Sequence, residues 1–188
     1  MDDQLNQMNI LTTEELLKII SWQPYRKDWP VDRNIKEDRI EEYFEDLTVF
    51  LETNTSFECK VTQDGGLTNY LEFICYPLNK GFGKMEAIML CVSLCAPIAA
   101  YGRVDIYKQE KSFGWDFINA EDVGIIETEE LRTIEQLFVP ILKKKGIQIL
   151  DAKEASQKIS PEIYNNENQS ISLHEGDQLI HAIFQFMD

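Results

Sequence analysis

The sequence predicts an α+β fold: an antiparallel β-sheet meander of about five to seven strands, with two main amphipathic helices packed on one face. Three observations carry this. Residues 57–118 alternate apolar and polar side chains or run continuously apolar, and their connections are too short for helical crossovers. Residues 34–52 and 128–145 repeat apolar side chains at helical spacing. The charge is uneven: residues 1–54 and 121–188 each hold thirteen acids and six bases, whereas 55–120 hold seven and six. The near-neutral middle is the expected sheet, and the acidic ends are the helices around it. A chain of 188 residues, 44% of them hydrophobic, is long enough to bury a sizeable core and short for a second one. We therefore expect a single globular domain over 1–188, comprising a helical part (1–54), a β-meander (55–120) and a helix plus C-terminal strand (121–188).

The elements follow in order. Thr12-Thr13-Glu14-Glu15 has the capping-box pattern, in which Thr12 accepts from the backbone and Glu15 reaches back, so a short helix is expected from Thr13 to Trp22. Trp22 to Pro30, with two prolines and three aromatics and no period, is an ordered loop. From Asn34 to Glu52, Ile40, Tyr43, Phe44, Leu47, Phe50 and Leu51 fall within an arc of about 120° at 100° per residue. Asp38, Glu41, Glu42, Glu45 and Asp46 occupy the opposite arc. Phe57, Cys59 and Val61 then alternate with polar residues, Gln63-Asp64-Gly65-Gly66 supplies a turn, and Leu67–Tyr76 returns as the second strand of a hairpin. Glu86–Cys95 is apolar enough for a central strand buried on both faces, and Pro97 ends or bends it. Ile98–Tyr107 and Trp115–Ile118 complete the meander. Thr128-Glu129-Glu130-Leu131 is taken as a second capping box, opening a helix to Lys145 that Gly146 stops and that Pro140 kinks or shortens. Gly146–Leu150 gives a short strand, Asp151 caps a small helix toward Ile159, and Ser160–Gly176 is a polar loop. Asp177–Met187 is placed as a strand, with a buried helix the alternative that periodicity leaves open.

Composition excludes several functions. A net charge of −15 repels nucleic acid and anionic lipid and attracts basic protein surfaces. The N-terminus, Met1-Asp2-Asp3-Gln4, is acidic where an export signal is basic and then apolar. The longest apolar stretch, Ala87 to Tyr101, is interrupted by Ser93 and Pro97 and is shorter than the ~20 residues of a spanning helix. A cytoplasmic protein is expected. Cys59, Cys75, Cys91 and Cys95 match no CxxC-type zinc spacing and are expected as reduced, buried thiols. His174 and His181 are the two histidines, too few for a three-histidine metal site and expected in structural roles. Lys80-Gly81-Phe82-Gly83-Lys84 could cradle an anion, but it lacks the helix and the Lys-Ser/Thr of a phosphate loop and joins two strands. Glu72, Asp105 and Asp116 could meet as acid and base across the sheet; the preferred reading is a solvated face. No catalytic residue, metal ligand or cofactor is assigned.

The partner-binding candidates are Asp38, Glu41, Glu42, Glu45 and Asp46, with Trp22 and Trp29 as possible anchors or as lids on the core. Like charges at i,i+3 and i,i+4 destabilise a helix by a few tenths of a kcal/mol per pair. Arg39, at the margin, is the one cation the local sequence offers against them. A basic partner would explain their accumulation. The segment Leu90-Cys91-Val92-Ser93-Leu94-Cys95-Ala96-Pro97, followed by Tyr101-Gly102 and a capped helix after Thr128, is similar in style to segments of bacterial immunity proteins kept against polymorphic or contact-delivered toxins. The resemblance covers roughly residues 55–145. It implies neutralisation of a toxin by occlusion, without chemistry by this chain. The alternatives are an enzyme or small-ligand domain using a concave sheet face, with His181, Asp105 or Asp116 as polar groups, and an oligomerising adaptor.

Overall fold

The period-two segments after Asn54 become five antiparallel strands in sequence order: β1 (Phe57–Asp64), β2 (Tyr70–Pro77), β3 (Gly83–Ser93), β4 (Ile98–Lys108) and β5 (Phe113–Trp115). The computed structural model describes residues 10–31, 37–64, 68–160, 163 and 178–185, and for 37–41 and 64 the backbone alone. A two-residue strand, β6 (Gln148–Ile149), pairs parallel with Ile98–Ala99 of β4. It shares the edge of β4 that β5 occupies at Ile106–Lys108. The sheet is thus mixed at this point, where the sequence predicts antiparallel pairing throughout. The reason is a helical crossover: the chain leaves β5, traverses a helix and returns in the same direction as β4.

Both faces of the sheet are covered. Alternation sends Phe73, Cys75, Ile88, Leu90, Val92 and Tyr101 to one face. There they meet Phe44, Leu47 and Leu51 of α2 (Glu37–Thr53) and Leu131, Ile134, Phe138 and Leu142 of α3 (Glu129–Lys144). These are the two amphipathic helices expected, on one face. Ile74, Met89, Cys91, Ala100, Val104 and Ile106 point the other way, against α1 (Thr13–Ile20), α4 (Ala152–Ala155) and α5 (Leu179–Ile183). This second helical layer carries the smaller helices, and each large side chain it fully buries contributes about 1.5–3 kcal/mol.

Several local expectations need correction. The C-terminal segment forms α5, a helix, where the sequence predicts a strand. Leu179, Ile180, Ala182 and Ile183 are all buried, so both alternating sets were apolar and period two carried no polarity signal. The last meander strand is Phe113–Trp115, earlier than Trp115–Ile118, and beyond it the chain leaves β4's edge pairing and crosses over Gly102. Thr128 is the N-cap of α3, yet its side chain makes no capping hydrogen bond. The third helical residue is Leu131, which has no carboxylate to complete a box. Pro140 does not shorten α3: it lies on the exposed side, where water reaches the carbonyl it leaves unpaired, opposite the buried stripe. The other caps form as expected. Thr12 and Glu15 complete a capping box, as do Asp151 and Glu154. Gly146, at φ +72°, closes α3 with Gly146 N–H to Lys143 O and Ile147 N–H to Leu142 O.

Gly102 of β4 permits a close approach of another segment to the sheet. The segment after β5 crosses over it, and a Cβ there would sit 2.8 Å from Ile118 and 3.0 Å from the Asp122 carbonyl.

Candidate acidic partner-binding surface

Helix α2 carries seven acids and one arginine between Glu37 and Thr53, and its orientation is fixed by Phe44, Leu47 and Leu51 under it. The opposite side presents Glu42, Glu45, Asp46, Val49 and Glu52 to solvent along one stripe at i, i+3, i+4, i+7 and i+10. Val49 is 49% exposed, an apolar side chain framed by carboxylates. Asp38 and Glu41 lie on the same helix, with side chains outside the described residues.

The acids of this stripe are not equivalent. Lys145, just past α3, reaches across and places its ammonium 2.7 Å from Asp46 Oδ1 and 4.7 Å from the Tyr43 ring centroid, while donating to the Tyr43 carbonyl. The sequence offered no cation beyond Arg39 because this one lies about a hundred positions away and arrives by tertiary packing. Lys145 therefore offsets Asp46 and ties α2 to α3. Among the described residues no cation lies within ion-pair distance of Glu42, Glu45 or Glu52.

The two candidate tryptophans are half-buried and both indole N–H groups are used internally. Trp29 donates to the Leu94 carbonyl at 2.9 Å and stands edge-on between Tyr25 and Tyr43, docking the 21–31 loop onto α2. Trp22 donates to Gln185 Oε1 at 3.0 Å. Its φ is +57°, the left-handed position after α1 that glycine normally fills, with Trp22 N–H to Ile19 O and Gln23 N–H to Lys18 O closing the helix. Their positions join loops to the body of the fold, the lid role set beside the anchor role.

The sheet carboxylates do not meet. Glu72 is paired in register with Cys91, in the layer facing α1 and α5, and is 2% exposed. Asp105 is two residues from Arg103, whose partner Ile88 belongs to the opposite layer. There Asp105 is bound by Lys84 at 2.9 Å beside an Arg103–Glu86 pair. Asp116 is exposed, just past β5. Glu72 thus departs from the solvated-face reading. Thr62 Oγ1 donates to its Oε1 at 2.6 Å, with the Tyr70 hydroxyl near Oε2 and Trp115 a further donor. Burial without a cation pushes its carboxyl pKa up, against these hydrogen bonds.

The residues that sequence reasoning missed are structural hubs. Asn69 is fully buried; its Nδ2 donates to the Ile183 carbonyl at 2.9 Å and its Oδ1 accepts from Gln185 N–H at 2.7 Å. It joins the start of β2 to the end of α5, across more than a hundred residues, and no local pattern signals such a role. Of the remaining candidates, Lys80 and Lys84 pair with Glu130 and Asp105, so the glycine loop between them connects β2 and β3. His181 lies half-buried on α5 and not on a strand, and His174 falls outside the described residues. A cleft of about 500 Å³ opens between the start of α1 and the segment that follows α4, lined by Leu11, Thr13, Leu16, Lys158, Ile159 and others. Among the described residues no three His, Cys, Asp or Glu side chains are placed to hold a metal ion, and no helix is long and apolar enough to cross a membrane. No protein-family model, no curated protein and no solved structure matches this chain.

Proposed function

We propose that this protein is an acidic protein-binding module of the immunity type, which neutralises a cognate toxin by covering a basic patch on it with the outer stripe of α2. One observation carries the reading: Glu42, Glu45 and Glu52 are exposed, lack a cation among the described residues and frame the exposed Val49. A desolvated apolar contact ringed by charges that steer encounter is the arrangement that gives an interface both rate and specificity. Asp46, held by Lys145, fixes the pose of the helix. The concave-sheet alternative has less support, because both sheet faces are filled by the two cores.

Affinity capture from a lysate of the source organism tests this, at low and at moderate salt, with wild type beside a Glu42→Lys, Glu45→Lys, Glu52→Lys variant. The expected result is one stoichiometric basic partner, weakened by salt and lost with the charge reversal. Expressed alone, that partner should arrest growth, and co-expression of the wild type should relieve it. Equal capture by the variant would assign the stripe to solvation and end this reading.

A further inference from the structure

Cys59 and Cys75 are directly opposed on neighbouring antiparallel strands, in register, with their Sγ atoms 3.3 Å apart and the Cys75 thiol donating to Cys59 Sγ. Directly opposed residues of an antiparallel pair have Cα atoms about 4.5–5.5 Å apart, within the span a disulfide bridges. Both thiols are free, Cys75 fully buried and Cys59 half-buried on the outermost strand of the sheet. Cys91 and Cys95 belong to the layer on the other face. One thiol is open to a small oxidant, and a second waits within bonding reach. We infer that Cys59 and Cys75 form a redox modification site, in which a hydroperoxide converts the pair to a cross-strand disulfide.

The chemistry balances. Cys59 Sγ, as thiolate, attacks one oxygen of hydrogen peroxide; the O–O bond breaks, and the departing hydroxide takes a proton to leave as water. The resulting Cys59 sulfenic acid is then attacked by Cys75 Sγ. The S–S bond forms, the S–O bond breaks, and the Cys75 proton leaves with the hydroxide as a second water. The two sulfurs lose two electrons and the peroxide gains them. Burial pushes the Cys75 thiol pKa up, which keeps it protonated and leaves Cys59 to meet the oxidant first; the proximity of the two sulfurs then carries the second step. The product pins β1, which lies at the edge of the sheet beside β2 and supports α2, to its neighbour.

The test treats the reduced full chain with hydrogen peroxide beside glutathione as an internal standard, alkylates in denaturant and digests without reductant. Alkylated thiols should fall from the four of the sequence to two. One linked peptide pair should join positions 59 and 75, lighter by two hydrogens and restored by dithiothreitol. A Cys91→Ser, Cys95→Ser variant should give the same cross-link, and Cys75→Ser should leave Cys59 as a sulfenic acid trapped by dimedone. The wild-type map decides even if a variant fails to fold. Full alkylation of Cys59 and Cys75 after the glutathione is consumed, or a cross-link to any other cysteine, would overturn the inference.

Discussion

Asn69 and Glu72 are two buried polar side chains three positions apart, and the fold treats them oppositely. Asn69 is satisfied on both sides of its amide, so Asn69→Ala strands the Ile183 carbonyl and the Gln185 N–H in a dry environment. A loss of about 2–4 kcal/mol is expected, at roughly 1–3 kcal/mol for each buried group left unpaired. Urea unfolding with an unchanged m-value would measure it, and a loss below about 0.5 kcal/mol would remove Asn69 from that role. Glu72 is buried with donors but no cation, and its folded pKa lies above the unfolded Glu value near ~4.3. Between those two values the native state holds the extra proton, so the contribution of Glu72 to stability falls as pH rises through that window and is constant above it. Glu15 and Glu58, whose pKa values are lowered by hydrogen bonds from Thr12 and Lys108 respectively, act in the reverse sense and lose their contribution as pH falls. The stability of wild type minus that of Glu72→Gln isolates the first effect. That difference should decline from about pH 4 upward to a plateau, and a flat difference would mean that Glu72 ionises as freely folded as unfolded. Neither residue was visible in the sequence as a buried polar group. Strand parity assigns a face, but both faces of this sheet are covered, so parity no longer separates core from solvent.

At the scale of elements, caps separate what a sequence pattern promises from what geometry delivers. Thr12 and Thr128 are each followed within three residues by two glutamates, and both are N-caps with extended backbone. Thr12 accepts from Glu15 N–H and has its own N–H bound by the Glu15 carboxylate, whereas Thr128 makes no side-chain capping bond. Thr12→Ala should therefore cost about 1 kcal/mol and Thr128→Ala close to nothing, measured by thermal or urea unfolding of the two single variants. Equal losses would mean that the Thr128 hydroxyl is capping in solution. The position three residues on, Glu15 against Leu131, discriminates the two, and reading Thr128 as a second capping box overlooked it. Helices α2 and α3 were legible because each buries one consistent apolar stripe, and strands β1 to β4 because their β-branched and aromatic runs, alternating or continuous, are bounded by turn residues. The parallel β6 contact and α5 were not. A two-residue strand has no period, and a segment whose odd and even positions both carry apolar side chains suits helix and strand alike; its ends are held by Gln157 and Asn69.

The charge pattern acquires its meaning only for the whole molecule. A net charge of −15 opposes compaction through self-repulsion, and the layered fold partly manages this by pairing. Lys80 reaches Glu130, Lys108 reaches Glu58 and Lys145 reaches Asp46, each joining separate elements. The α2 stripe at Glu42, Glu45 and Glu52 is left out of this scheme. Glu42 and Glu45 lie one turn apart, with Cβ atoms about 5–6 Å from each other and well inside the ~10 Å Debye length at 0.1 M salt, and Glu52 lies about 10 Å further along, so the repulsion is only partly screened under ordinary conditions. Two consequences can be separated in the isolated protein. Raising salt from about 10 mM to about 150 mM should stabilise the wild type by relieving that repulsion. The Glu42→Lys, Glu45→Lys, Glu52→Lys variant reduces the net charge from −15 to −9 and touches only exposed side chains. It should be more stable than wild type at low salt, by about a few tenths of a kcal/mol for each repulsive pair removed, and less responsive to added salt. Urea unfolding of both proteins at two salt concentrations checks this. A gain would show that wild type retains acids that weaken its own fold, which is what a surface selected for a basic partner predicts. A loss would mean that the stripe is compensated within the monomer, and the charge argument for a partner would then have no foundation.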